Sequence, residues 1–206
     1  MIVGVDGWSR HDEDADHLAH RVREVLRRHL GEQAADGAVL ATHEVRLSDP
    51  HTAVSCVVAG AGHTQHLIRR LAADLAGLVG PDGGVAVSAP GLPDGVSVHG
   101  RADALTGAWV AVAAAATRAS GRLVHYPGQD ALMERLTVAD VLAASCVQEV
   151  VVLGGGVAGP ATVIDTRGFV RPRLAAGRVQ LLVQPAAGGV LVPLETQRPE
   201  RCCEDH

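Results

Sequence analysis

The first ninety residues alternate between strand-like and helix-like patterns, and this order restricts the fold more than any other feature of the chain. Apolar residues recur at helical spacing from Asp12 to Leu30, which predicts a helix, whereas residues 39–47 alternate in polarity with a period of two, which predicts a strand. The resulting β-α-β-β-α-β order predicts a ferredoxin-like α+β fold. The predicted strands lie at 2–5, 39–47, 52–59 and 83–89, and the predicted helices lie at 12–30 and 64–79.

A proline- and glycine-rich stretch at residues 89–95 predicts a boundary after a first half that comprises residues 1–89. The second half, residues 96–195, is predicted to be mixed α/β and to end in an antiparallel β meander, because short apolar runs alternate there with turn residues. Residues 196–206 are polar and are predicted to form a Cys/His-containing tail. In the second half, helices are predicted at 102–119 and 130–146, and strands at 122–126, 149–153, 161–165, 169–173, 179–184 and 190–195.

The amino-acid composition excludes several classes of function. The chain of 206 residues contains no lysine and no asparagine, which excludes a Schiff-base lysine, a phosphate-loop lysine and a Cys-His-Asn triad. The 18 basic residues face 23 acidic ones and the formal net charge is -5, so the electrostatic pattern of a nucleic-acid-binding protein is missing. The scarce residue types are those that AT-rich codons encode, which indicates a bacterium with a GC-rich genome.

Membrane insertion and secretion are not expected from the sequence. A membrane span needs about 18 apolar residues, and the nearest run, Ala102 to Ala116, is interrupted by Asp103. The N-terminal residues lack the basic and apolar regions of a signal peptide. We therefore expect a cytoplasmic protein with no membrane partner.

The most distinctive chemical group lies at the end of the chain, where Cys202, Cys203 and His206 bring together two thiols and an imidazole. Thiolate and imidazole are the ligands that Zn²⁺ prefers. Adjacent cysteines match the usual zinc turn only in part, and three ligands from one short tail would strain a tetrahedral centre. A complete metal site therefore requires histidines from elsewhere in the chain. The alternative is a tail that carries two exposed thiols and no metal.

Two histidine pairs have the spacing that such a site requires. His17 with His20, and His63 with His66, lie three residues apart and so share a helix face. The second pair lies at the predicted start of a helix, where the positive end of the helix dipole favours the neutral, ligating form of imidazole. For His63 and His66, the alternative interpretation is two surface histidines on an amphipathic helix.

A cysteine and a histidine are also expected to meet in the first hairpin. If Asp49 and Pro50 form a two-residue loop, His43 lies opposite Cys56 on the apolar face. A neighbouring histidine lowers the pKa of a thiol, so this pair is a candidate catalytic site. The alternative is a buried histidine beside an inert buried cysteine.

Three arginines surround the only phenylalanine and are candidates for binding an anionic ligand. Arg167, Arg171 and Arg173 have the planar guanidinium groups that bind carboxylates and phosphates in a bidentate manner. Outward-facing arginines on a hairpin explain the same pattern without any ligand.

These features support three hypotheses about function. The first is a transition-metal-binding protein, with zinc the preferred metal, that combines the tail ligands with body histidines. The second is a metal-free enzyme that acts on a small acidic metabolite through the Cys-His pair or the arginines. The third is a non-enzymatic module that forms a homo-oligomer through an apolar sheet surface.

Overall fold

The computed structural model describes residues 1–60, 64–92 and 100–196, and the backbone alone at 96–98. The chain divides into two compact units. Unit 1 comprises residues 1–127 and 174–177, and unit 2 comprises residues 128–173 and 178–206. The boundary predicted at residues 89–95 falls inside unit 1, because the helix and strand that follow this stretch belong to the same compact unit as the first half.

Unit 1 is built on an antiparallel sheet whose strands follow the spatial order 96–98, 84–88, 2–9, 51–57, 39–45 and 120–125. The α+β class is therefore confirmed, and the N-terminal order of elements is consistent with a ferredoxin-like start. The strands are β1 (Ile2–Ser9), β2 (Val39–Val45), β3 (His51–Val57), β4 (Gly84–Ser88), β5 (Val96–Val98) and β6 (Ser120–His125). The helices are α1 (Asp12–Leu30), α2 (Glu32–Asp36), α3 (Gln65–Val79) and α4 (Ala102–Thr117).

Helices cover both faces of this sheet. Apolar side chains of α1 and α3 pack with those of β1, β3 and β4 in the main core of the unit. Acidic residues occupy the first turn of α1 and basic residues its last turn, as the helix dipole favours. Helix α4 packs on the other face, where Ala108 and Ala111 meet small residues of the strands.

Helix α4 approaches the sheet closely because both surfaces are made of small residues. A Cβ atom placed on Gly4 of β1 would lie 2.0 Å from the backbone oxygen of Ala108. On Gly84 of β4, the same atom would lie 2.3 Å from the backbone oxygen of Ala104. The alanine-rich sequence of α4 is thus matched by glycines in the strands beneath it, and a larger side chain at either glycine would push the helix away.

The described part of unit 2 is made of strands and a single α-helix. Its elements are β7 (Arg135–Thr137), α5 (Val138–Ala144), β8 (Glu149–Val152), β9 (Val163–Asp165), β11 (Arg178–Pro185) and β12 (Leu191–Pro193). Most of β10 (Arg173–Ala175) belongs to unit 1, where it lies next to β6. The pairs β7–β9 and β11–β12 are antiparallel, whereas β8–β11 and β9–β12 are parallel.

Two predicted elements of this region differ from the observed ones. The helix predicted at residues 130–146 begins only at Val138, because Thr137 and Asp140 form a capping box and residues 135–137 pair with β9. The strand predicted at residues 169–173 is replaced by β10, which starts after Pro172, a residue without a backbone N–H for a sheet. Among the helices in the described ranges, none has the length and hydropathy needed to cross a bilayer.

Candidate functional site

A wide bulge in β1 interrupts the central sheet of unit 1. Val5 lies opposite Val54 and Ser9 lies opposite Thr52, so β1 has three residues where β3 has one. The last of these three residues is Trp8, whose φ of 58° lies in the left-handed region that an aromatic residue rarely adopts. Bulges and strained backbone of this kind are concentrated near functional sites. The bulge is therefore a candidate functional site.

A buried acid and a buried histidine hold the bulge in place. The carboxylate of Asp6, which is fully buried, accepts a hydrogen bond from the backbone N–H of Trp8 at 2.9 Å through Oδ1. Its Oδ2 lies 2.7 Å from Nε2 of His51, and Nδ1 of His51 lies 2.7 Å from the backbone oxygen of Asp49. The indole ring of Trp8 packs on the imidazole, with the ring centroids 4.1 Å apart. This network joins the bulge to the loop between β2 and β3.

The geometry of this network fixes where its protons lie. The backbone oxygen of Asp49 can only accept, so Nδ1 of His51 donates to it. A second proton must lie between Nε2 of His51 and Oδ2 of Asp6. Burial raises the pKa of Asp6, and the hydrogen bonds from Trp8 and His51 act in the opposite direction. Because both imidazole nitrogens are engaged, His51 positions its neighbours and is not a free general base.

Helix α4 leaves room for this pair through a single glycine. A Cβ atom on Gly107 would lie 1.8 Å from Oδ2 of Asp6 and 3.1 Å from Nε2 of His51. The α4 residue above the Asp6–His51 pair therefore has to be glycine.

A cavity of about 300 Å³, here called the bulge pocket, opens beside this network and is lined by Gly7, Trp8, Arg10, Asp49, Val79, Asp82, Gly83 and Arg101. The indole Nε1 of Trp8 donates to the backbone oxygen of Asp82 at 3.0 Å, which fixes the ring at the cavity wall. The guanidinium of Arg101 lies 5.6 Å from the centroid of the same ring, in a cation–π arrangement.

The charged groups of the bulge pocket are of two kinds. Arg10 and Asp49 form an ion pair at 2.6 Å on one side. Arg101 and Asp82 have no ion-pair partner among the residues that the structure describes. Among the described residues, the pocket thus offers a small ligand a cation and an anion that have no ion-pair partners, beside the indole ring of Trp8.

A second cavity of about 310 Å³ lies against the same bulge and reaches α1. Trp8 and Val79 line both cavities, and the second is also lined by Asp14, His17 and Arg21. His17, one of the predicted metal ligands, therefore lies near the bulge.

The register predicted for the first hairpin is wrong. His43 lies opposite Ala53, and Cys56 lies opposite Leu40, because the connection between β2 and β3 runs from Arg46 to Pro50 and is longer than two residues. The two side chains consequently lie on opposite faces of the sheet. Burial raises the pKa of Cys56 to about 12, so its thiol is protonated at neutral pH.

His43 instead contacts a serine under α4. Its Nε2 lies 2.7 Å from Oγ of Ser55, and its Nδ1 has no hydrogen-bond partner within bonding geometry among the described residues. Burial lowers the pKa of His43 to about 4, and the nearby backbone of Ser120 offsets only part of this effect. His43 is therefore neutral at physiological pH.

None of the three predicted arginines lines the bulge pocket. Arg167 lines a separate cavity of about 320 Å³ in unit 2, together with Phe169. Arg171 stacks on the ring of Phe169 at 4.4 Å, and Arg173 is exposed. Arg167 thus lines a described cavity. The role of Arg167, Arg171 and Arg173 in binding a ligand stays a prediction.

The predicted metal ligands are described only in part. His63, Cys202, Cys203 and His206 lie outside the described residues. His17, His20 and His66 are exposed on their helices. Within residues 1–60, 64–92 and 100–196, no three Cys, His, Asp or Glu side chains come together as a metal site would require. Zinc binding that uses the tail therefore stays a prediction.

Sequence reasoning missed the bulge pocket. The sequence pattern ends the first strand at Val5, although β1 continues to Ser9, and it starts the third predicted strand at residue 52, one residue after His51. The available signal was an aspartate that directly follows an apolar run and precedes Gly7 and Trp8. Comparison of the chain with protein-family models, curated proteins and solved structures finds no match.

Proposed function

We propose that the protein binds a small carboxylate-bearing molecule in the bulge pocket. The observation that carries this proposal is the guanidinium of Arg101, which lines the pocket, stacks on Trp8 and has no carboxylate partner among the described residues. Arginine binds carboxylates through parallel hydrogen bonds, and an aromatic wall covers the apolar part of a ligand.

Two further features support an anion at this position. Arg101 is the residue directly before α4, so the positive end of the helix dipole lies at the same side of the pocket. The network of Asp6 and His51 holds Trp8 and the Asp49 backbone, which are two parts of the pocket wall, before any ligand arrives. Such preorganisation reduces the entropy lost on binding.

The second hypothesis from the sequence also includes a small acidic ligand. The present proposal places this ligand at different residues. Neither His43 nor Cys56 lines the bulge pocket. The pocket supports ligand binding by charge and shape, and Asp6 and His51 act as positioning residues beneath it.

Calorimetric titration with 3-phenylpropanoate, a carboxylate with an aromatic end, tests the proposal. We expect Arg101→Gln to weaken binding about tenfold, because one charge-assisted hydrogen bond contributes about 1.5–3 kcal/mol and solvent weakens an exposed one. The matched control is Arg69→Gln, which removes an exposed arginine of α3 that does not line the pocket. Equal affinities of the two variants, or no binding to the unchanged chain, would contradict the proposal.

A further inference from the structure

We infer that the occupant of the bulge pocket is a small zwitterion of the α-amino acid type, an inference that rests on the proposed function of the same pocket. Within the part of the chain that the structure describes, the pocket contains an anion as well as a cation without an ion-pair partner. Asp82 lines the pocket, yet its carboxylate has no ion-pair or hydrogen-bond partner among the described residues. Asp82 and Arg101 also form no ion pair with each other, so a ligand that reaches both satisfies two charges at once.

The total charge of the lining favours a zwitterion over a simple anion. Two arginines and two aspartates line the pocket, and Arg10 already neutralises Asp49 at 2.6 Å. A ligand with a net negative charge therefore meets no excess of positive charge. A ligand that carries both signs matches the two groups that remain, Arg101 and Asp82.

The structure also orients the two groups of the ligand. The carboxylate belongs at Arg101, where the start of α4 adds positive potential. The ammonium belongs at Asp82, whose backbone oxygen is held by the indole N–H of Trp8 at 3.0 Å. The Trp8 ring lines the pocket beside both residues.

The cavity size limits the ligand to a single small molecule. A volume of about 300 Å³ is at the lower end of the range of ligand pockets, which suits one amino acid rather than a peptide.

A matched set of three probes tests this inference by calorimetry: L-phenylalanine, which carries both charges, 3-phenylpropanoate, which lacks the amine, and 2-phenylethylamine, which lacks the carboxylate. We expect L-phenylalanine to bind at least tenfold more tightly than either single-charge analogue. In Asp82→Asn, this advantage over 3-phenylpropanoate should disappear, while 3-phenylpropanoate itself should bind no more weakly than to the unchanged chain. The control variant is Asp12→Asn, which alters an exposed aspartate of α1 outside the pocket lining. A parallel set of L-leucine, 4-methylpentanoate and 3-methylbutylamine covers a preference for an aliphatic side chain.

The outcomes separate this inference from the proposed function. If the acids bind with dependence on Arg101 but the amino acids bind no more tightly, or if Asp82→Asn keeps their advantage, the zwitterion inference is wrong and the carboxylate site stands. If neither acid binds the unchanged chain, the proposed function is wrong and the inference fails with it.

Discussion

Two buried histidines of unit 1 differ in how completely their rings are hydrogen-bonded. Both nitrogens of His51 have partners at 2.7 Å, in Asp6 and in the Asp49 backbone. His43 has Ser55 as its side-chain partner, and its buried Nδ1 has no hydrogen-bond partner among the residues that the structure describes. Protonation of His43 would thus place a charge in an apolar layer that offers it little compensation. His51 supports the pocket, whereas His43 makes the fold sensitive to acid.

The pKa of His43 predicts how stability depends on pH. Its pKa falls from 6.5 to about 4 on folding, so the unfolded chain binds a proton more readily. The contribution of neutral His43 to the free energy of unfolding is fully present above pH 6.5 and is lost as the pH falls towards 4. Between about pH 7 and about pH 4.5, we expect the titration of His43 to lower the free energy of unfolding by about 2 kcal/mol.

Urea denaturation of the unchanged chain, His43→Gln and His66→Gln at both pH values isolates this contribution. The His43 variant should lose about 2 kcal/mol less than the unchanged chain, because glutamine does not titrate. The His66 variant is the control, since His66 is exposed on α3. The same acid sensitivity in all three proteins would contradict the assignment.

At the scale of elements, the site depends on the close fit between a small-residue helix and a bulged strand. Helix α4 approaches β1 closely because Gly4 faces Ala108, and Gly107 leaves room for Asp6. The bulge turns Trp8 out of the regular strand and towards the pocket. Apolar periodicity reveals such a helix but not which glycine lies over which side chain, since that depends on pairing between distant segments.

Adding one methyl group to α4 tests this fit. Gly107→Ala should lower the free energy of unfolding by about 3 kcal/mol, because its Cβ would lie 1.8 Å from Oδ2 of Asp6 and must displace the Asp6–His51 pair. The matched control is Gly77→Ala in α3, where a Cβ atom meets nothing within 4 Å. That control should be stabilised by about 1 kcal/mol through helix propensity. Equal effects of the two substitutions in thermal or urea unfolding would show that α4 does not pack tightly here.

At the scale of the whole molecule, the sequence predicted the elements of the first half better than their contacts. The predicted helices at 12–30 and 64–79 agree closely with α1 and α3, because long apolar periodicity is a strong local signal. The hairpin register failed because it depended on an assumed loop length. The bulge pocket could not be predicted, since Asp6 and His51 are 45 residues apart and only strand pairing brings them together.

The proposal of zinc binding by the tail is tested independently of the pocket. Elemental analysis of the full chain should find stoichiometric zinc, and the Cys202→Ser, Cys203→Ser double variant should lose it, because thiolates are the preferred zinc ligands. Cys146→Ser is the matched control, since this cysteine lies in unit 2 outside the tail. Zinc retained in the double variant would remove the tail from the site, and a metal-free full chain would refute the proposal.

The most direct test of the central claim uses the indole group of Trp8. The chain contains two tryptophans, so its ¹H–¹⁵N correlation spectrum has two indole signals, which Trp109→Phe assigns. Because Trp8 Nε1–H donates to Asp82 at the wall of the bulge pocket, its signal should move progressively and saturably as 3-phenylpropanoate is added, while the Trp109 signal stays in place. In Arg101→Gln, the same shift should require about tenfold more 3-phenylpropanoate. A Trp8 signal that does not respond to the carboxylate, or that responds equally in Arg101→Gln, would contradict a carboxylate site at the bulge.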